Sequence, residues 1–261
     1  MTQPSKNPRR DGRFHHHRSH FLYHVDPLTT HGLEIGAFDL PLVEPMEGRC
    51  DFADWNTAQY LRDIAKPDTG HNPDFVVPIN YNLLEGYDQV PDGYDWVAAA
   101  HVIEHVPDII GWLKQIATKL KPGGILFLII PDKRYIFDIY RQESTFTDAL
   151  VAHKSAFKHP SFAQVFDHFY YHAPGLVARD VWIGNSLPGP MLNFANAFSI
   201  AEKAELAYEV DAHCWVLTPD SFSALTQSLS NSQMINLRPL DLHPTVFGGL
   251  DFSVVLQKPA T

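Results

Sequence analysis

Cations are scarce in this chain of 261 residues: 20 Lys and Arg stand against 30 Asp and Glu, a formal charge of −10. A surface that grips phosphate backbones needs clustered Lys and Arg, so the balance argues against a nucleic-acid partner. Cysteine is scarcer still, with Cys50 and Cys214 the only two. Such a pair suits a reducing compartment better than a disulfide framework, and both are expected as small buried side chains of a cytoplasmic protein. Long apolar runs are missing as well. The longest, I-L-F-L-I-I from Ile125 to Ile130, is strand-sized and far below the roughly 18 residues of a membrane span. No signal-peptide pattern opens the chain. Core-forming material is plentiful: 45% of residues are hydrophobic against 19% charged, ample for one large α/β domain.

Residues 2–19 are Pro, Lys, Arg and His with almost nothing apolar to bury. Residues 1–20 therefore read as a disordered basic, His-rich tail, its F-H-H-H-R-S-H run solvated rather than metal-bound. Residues 21–261 read as a single domain.

From residue 31 to 131 strand and helix signals alternate. Gly32 to Gly36, Gly48 to Asp54, Asp74 to Ile79 and Tyr94 to Ala100 read as strands, the third poor because Pro78 interrupts its ladder. A helix from Asn56 or Thr57 stops before Pro67. Asp108 is placed to cap another, in which Ile109, Ile110, Leu113, Ile116, Ala117 and Leu120 recur at helical spacing until Lys121-Pro122-Gly123-Gly124 ends it. Ile125 to Ile130 is wholly apolar, so both faces are covered. Strand, helix, strand repeated this way predicts a doubly wound, Rossmann-like parallel sheet, with ligands beyond the carboxyl ends of its strands.

Those ends carry Glu34-Ile35-Gly36, Asp54 and Ala99-Ala100-His101. Asp54 lies near the distance from Gly36 at which an acid takes both ribose hydroxyls, although a turn or cap role before Asn56 fits it equally. A pyrophosphate needs a Gly-rich turn at a helix N-terminus. Here Gly36 is followed by Ala, Phe, Asp, Leu and Pro, which make no such cradle. S-adenosyl-L-methionine, a nucleoside without phosphates, suits the loop better than NAD. Glu34 offers negative charge to its cationic tail.

Three blocks resemble class I S-adenosylmethionine-dependent methyltransferases of the type 11 kind: E-I-G-A-F at Glu34 to Phe38, D-W-V-A-A-A-H-V-I-E-H-V-P-D at Asp95 to Asp108, and L-K-P-G-G-I-L-F-L-I-I-P-D at Leu120 to Asp132. The resemblance covers about residues 30 to 140. It implies a seven-stranded, mostly parallel sheet closed by an antiparallel pair at Met234 to Leu242 and Phe252 to Gln257. It implies cofactor contacts at Glu34, Gly36, Ala37, Asp54 and Trp55, at Asn80 and Leu84 after the third strand, and at the Ala100–His101 corner. Two departures stand out: the glycines that often follow Gly36 are missing, and Pro41 truncates the first helix.

His101-Val102-Ile103-Glu104-His105 also satisfies H-x-x-E-H, a zinc-peptidase pattern that needs a continuous helix. It follows an apolar strand directly, and Pro107 disfavours helix at Val106, so no metal ligand is assigned and a metal-dependent hydrolase is the weaker alternative. A catalytically silent cofactor-binding protein is another. For methyl transfer to oxygen, His101 or His105 is the candidate base.

The acceptor site is expected after the fifth strand. Arg134, Asp138 and Arg141 are candidates to orient a polar acceptor and Tyr135 to wall it. A helical insertion over residues 140–210 is then read as a lid or acceptor-binding subdomain. It holds an aromatic helix from Phe162 to His172, in which His168, Tyr171 and His172 are pocket candidates, a Pro/Gly loop from Asn185 to Pro190, and a second helix from Phe194 to Tyr208. Asp211 to Leu217 reads as a strand before a helix capped by Thr218 or Asp220. The D-x-H-C-W-x-x-T-P and P-D-K-R-Y-x-F-D segments resemble bacterial methyltransferase-domain proteins met beside surface-polysaccharide genes. A small-molecule or glycan-like acceptor follows as the expectation. The oligomeric state is left open.

Overall fold

A computed structural model of the chain describes residues 15–65, 70–207 and 210–260. Seven strands form one sheet: β1 (His31–Ile35), β2 (Arg49–Asp54), β3 (Tyr81–Asn82), β4 (Tyr94–Ala100), β5 (Leu120–Pro131), β6 (Arg238–His243) and β7 (Asp251–Gln257). Their order is β3-β2-β1-β4-β5-β7-β6. β1 runs parallel to β2 and β4, β2 parallel to β3, and β6 antiparallel to β7, as the sequence predicts. Pro239 is tolerated because β6 is an edge strand, and the register slips between Pro239 and Asp241. Among the described residues no helix is long and apolar enough to cross a membrane.

The chain divides into two compact units, one of Met1–Ala100, Thr118–Phe127 and Lys258–Thr261, the other of His101–Ala117 and Leu128–Gln257. In the first, α1 (His15–His24) replaces part of the expected tail. Phe21 is fully buried, edge-on to Trp96 at 5.1 Å and Phe127 at 5.3 Å, and His17 and His20 are buried rather than solvated. One well-placed ring outweighs a polar composition, because burying it removes some 150–250 Å² from water. Residues 1–14, the rest of that expected tail, lie outside the described residues.

α2 (Ala58–Ile64) starts at Thr57, whose hydroxyl accepts the Tyr60 N–H at 3.2 Å. Pro67, its expected stop, lies outside the described residues. The third strand falls later than predicted. Asp74 to Ile79 makes a 3₁₀ turn (Pro73–Phe75) and an irregular segment, and only Tyr81–Asn82 pairs with β2. Proline at both ends of Asp74–Val77 removes ladder donors. Lys121 to Gly124 is likewise strand, not helix stop: α3 (Ile109–Lys119) ends one residue before β5 begins, and Gly123 and Gly124 pair with Lys258. Asp108 caps α3 as expected, accepting from Gly111 N at 2.8 Å.

The second unit carries α4 (Phe146–Lys154), α5 (Phe162–Tyr170), α6 (Ala178–Trp182), α7 (Phe194–Ala207) and α8 (Pro219–Asn231). Ser161 and Gln164 close a capping box on α5, and Thr218 and Ser221 one on α8, so Thr218 rather than Asp220 is the cap. α5 packs on α7 through Val165, Ala201 and Ala204, with Phe162, Phe166 and Phe169 against them, the packing role that aromatic spacing favours. Tyr208, the expected end of α7, lies outside the described residues. Asp211 to Leu217 is not a strand. Its backbone is consumed elsewhere: Cys214 N and Trp215 N donate to the Glu104 carbonyl, and Val216 exchanges bonds with Ser144.

β1 and β4 meet closely at Gly32, where a Cβ would fall inside the ring of buried Trp96. Gly32→Ala is expected to lower stability by about 1–3 kcal/mol, read as a reduced denaturant midpoint at unchanged slope.

Candidate active site

β1 ends in a bend rather than a helix: Gly36 has φ of 72° and Phe38 of 48°, and no helix forms before β2. The missing helix follows from Pro41 and from the lack of further glycines. Buried carboxylates hold the loop instead. Glu34 accepts Leu42 N at 2.7 Å and Val43 N at 3.3 Å. Asp39 accepts His71 Nδ1 at 2.8 Å and Asn72 N at 2.7 Å. Glu34, expected to face a cation, is therefore committed to the loop backbone.

Asp54 closes the bend. One oxygen accepts Phe38 N at 3.3 Å, the other Trp55 N at 2.8 Å, while Gly36 N donates to Ala53 O at 2.9 Å. The carboxylate at the end of β2 and the glycine bend after β1 thus lie together. Burial pushes the Asp54 carboxyl up to about 6, against the two N–H groups that favour its charge. Each oxygen keeps a second lone pair, the acceptor set that a ribose diol requires. Ala37 is buried and Trp55 exposed beside it. Asn80 pairs twice with Phe52, its N donating to Phe52 O and its Oδ1 accepting Phe52 N, both at 2.8 Å. Leu84 is exposed in the 3₁₀ turn Leu83–Glu85.

β4 ends at Ala100. His101 sits in the left-handed region at φ 54°, and its Nε2 meets Asp251 Oδ2 at 2.9 Å. Only Ile103–His105 turns helically, as a 3₁₀ turn, so H-x-x-E-H does not place its two histidines on one helix face. That removes the geometry on which the hydrolase alternative rests. His105 Nδ1 lies 2.7 Å from Asp211 Oδ1 and its Nε2 3.7 Å from Glu104 Oε1. Burial pulls the His105 imidazole down, but Asp211 and Glu104 outweigh it and raise it above its ordinary value.

The expected acceptor residues separate into two groups. Arg134 and Tyr135 lie toward solvent: Arg134 forks onto buried Asp132, its Nη2 at 2.6 Å, and Tyr135 stacks on Trp182 at 4.1 Å and 8°. Asp138, Arg141 and His168 are buried instead. Asp138 is held by His213 Nδ1 at 2.5 Å and Arg141 Nη1 at 2.9 Å. Burial opposes its charge, yet those partners hold it down at about 2. Burial lowers His168 to about 3, and its neutral ring accepts His213 N at 3.1 Å. Tyr171 is the half-buried cap of α5, and His172 stacks on Phe137 at 4.6 Å. Cys50 and Cys214 are both free thiols, raised by burial, Cys214 to about 12. Asp251 escaped sequence reasoning, since 150 residues separate it from His101 and no motif marks it. His213 and Asp211 stood in D-x-H-C-W without a role.

A methyltransferase-domain profile matches residues 25–228. Over 40 residues the chain is 48% identical to the ubiquinone biosynthesis O-methyltransferase of Aeromonas salmonicida (strain A449), a stretch of 15% of this chain and 17% of that protein. Among solved structures, one described as a Zn-dependent alcohol dehydrogenase from Rhodobacter sphaeroides superposes with a TM-score of 0.52 at 13% identity, covering 99% of this chain and 92% of that one. The CurJ carbon methyltransferase superposes at 0.42 and 15% identity; 90% of this chain spans half of it. The first of these two is a likeness of fold. The profile covers most of the chain, which belongs to the methyltransferase-domain family, of the class I S-adenosylmethionine-dependent kind.

Only an ionised carboxylate accepts two hydroxyls, so with Asp54 as the ribose acceptor affinity for S-adenosylhomocysteine is expected to hold above pH 7. Below about 6, where the carboxyl takes its proton, it falls toward tenfold per pH unit. Asp54→Asn is expected to weaken binding by about 10–100-fold and to flatten that profile. Calorimetry from pH 5 to 8 reads both.

Proposed function

We propose that this chain transfers a methyl group from S-adenosyl-L-methionine to an oxygen of a small-molecule or saccharide-type acceptor in the cytoplasm. The observation that carries the cofactor half is the bond between the Asp54 carboxylate and Phe38 N, which fixes a ribose-accepting acid beside a loop with no phosphate cradle. A phosphate-free nucleoside fits that arrangement, and a dinucleotide does not. Asp54 would hold the sugar, Gly36 and Ala37 the bend beside it, and Trp55, Asn80, Leu84 and Ala100 the remaining contacts. Glu34 keeps the loop in shape from beneath. When bound, the cofactor supplies an electrophilic methyl group on a sulfonium, a good leaving group.

What remains for the protein is alignment, worth as much as ~7–11 kcal/mol, and removal of the acceptor's proton. His101 suits the second task. Donating Nε2–H to Asp251 leaves Nδ1 as its basic nitrogen, and the Asp251 carboxylate stabilises the imidazolium that forms. Residues 140–210 are assigned to acceptor binding. The Tyr135–Trp182 stack offers a flat apolar face, with the Arg134 guanidinium 5.4 Å from the Tyr135 ring, a combination suited to an aromatic or sugar ring bearing hydroxyls. The fully buried Asp138–Arg141 pair positions the surrounding histidines rather than touching an acceptor.

Labelled S-adenosylmethionine offered with phenols, catechols and sugars, followed by analysis of the products for base-stable ethers, tests the reading. Cofactor binding with no ether formed from any hydroxyl would assign the chain to binding without catalysis. His101→Ala is expected to keep S-adenosylhomocysteine affinity within a factor of two or so while turnover drops by about 10²–10⁴. Unchanged turnover would end the role given to His101.

A further inference from the structure

The second unit buries a carboxylate that nothing in the methyl-transfer reading uses. Glu104 is 1% exposed, and neither of its oxygens has a hydrogen-bond partner. An ionised, unpartnered carboxylate in the interior is costly, and native folds rarely keep one without something to neutralise it. Three imidazoles stand around it: His101 Nδ1 and His105 Nε2 each lie 3.7 Å from its Oε1, and His213 completes a cluster with His105. One ligand atom each from Glu104, His105 and His213 lie within 4.8 Å of one another.

The other nitrogen of each imidazole is already fixed. Asp211 Oδ1 lies 2.7 Å from His105 Nδ1 as an ion-pair contact, and His213 Nδ1 donates to Asp138 at 2.5 Å. A carboxylate on the far nitrogen sets the tautomer and turns the Nε2 lone pair outward, the arrangement that supports histidine bound to metal. His105 Nε2 lies 3.7 Å from Glu104 Oε1. Ligands of a tetrahedral zinc at 2.0–2.2 Å are about 3.4 Å apart, so this edge is nearly formed.

The frame is built before any ion arrives. The Glu104 carbonyl accepts Cys214 N at 2.6 Å and Trp215 N at 3.1 Å, and the Val106 carbonyl accepts Trp215 Nε1 at 2.6 Å. These bonds stitch the segment bearing His213 to the turn bearing Glu104 and His105. Acids outnumber cations around the cluster: Glu104, Asp138 and Asp211 stand against Arg141. A route in exists too, since Asp211 is exposed and the His105 side chain is 34% exposed.

We infer that Glu104, His105 and His213 bind a borderline divalent transition metal, zinc in the first instance, through one carboxylate and two imidazoles. Two histidines and an acid are the donor set of such ions. Three protein ligands leave a position open for water or a hydroxyl oxygen. The site stands whether or not the chain transfers methyl groups.

The test uses the full chain stripped with EDTA and titrated with Co²⁺, whose tetrahedral visible bands report geometry, and with Zn²⁺ by calorimetry. One equivalent is expected to bind to the wild type with those bands. Glu104→Gln and His213→Gln are each expected to weaken binding by more than tenfold, and Asp211→Asn, at an exposed position, by about tenfold. Melting in EDTA checks folding, and Glu104→Gln should melt no lower than the wild type because it removes an unpaired buried charge. A wild type without the bands or the heat overturns the site. So does retention of both by every variant, which would place the metal on the histidines near the N-terminus.

Discussion

A strand that turns away without entering a helix leaves a row of backbone N–H groups to be satisfied, and that constraint shapes the first unit. Buried carboxylates take them: Glu34 from β1 receives Leu42 and Val43, Asp54 from β2 receives Phe38, and Asp39 receives Asn72. Burying acids opposes their charge, visible in Asp54 at about 6, and they persist because each is committed to N–H donors. N–H groups directed at side-chain oxygens are not an outward nest for a pyrophosphate, and the acids that take them are themselves buried.

Elements whose signals were local were readable. The apolar stripe from Ile109 to Ala117, the Asp108 cap and the wholly apolar Ile125 to Ile130 are each decided within a few residues, and α3 and β5 follow them. The Gly36 bend and its neighbour Asp54 were legible for the same reason, since strand ends fix both. Where distant partners decide, the reading stopped. α1 forms around Phe21, whose partners Trp96 and Phe127 lie far along the chain. Asp211 to Leu217 has a strand's composition, but its N–H groups find the Glu104 carbonyl and Ser144 rather than a ladder. The chemistry divides the same way: His101 is visible at the end of an apolar strand, and Asp251, which fixes its tautomer, is not.

Around Phe137 the second unit sorts histidines by environment rather than by sequence. His168 lies among apolar rings and stays neutral, an acceptor for a backbone N–H. His213, whose ring lies 5.6 Å away, donates to a carboxylate that Arg141 helps hold ionised. Breaking the Asp138 pair at either end would strand a charge in the interior, so the pair acts as a rigid mount for His213. The stability such a pair adds is secondary to the orientation it enforces.

H-x-x-E-H shows the same principle in five residues. On a helix its histidines would share a face one turn apart. Here His101 is left-handed and Pro107 follows closely, so the helix never forms; His101 pairs with Asp251 and His105 with Asp211, while the other nitrogen of each ring lies 3.7 Å from Glu104 Oε1. The glutamate between them is left facing inward, with His213 brought to it from a hundred residues away by backbone bonds to its own carbonyl. The residues of a zinc motif are thus redistributed by backbone conformation: His101 pairs with Asp251, His105 with Asp211, and the buried Glu104 carboxylate lies near the imidazoles of His101, His105 and His213. Which chemistry the letters encode is decided by the backbone around them, because a left-handed His101 and a proline two residues after His105 keep the five residues from forming one helix.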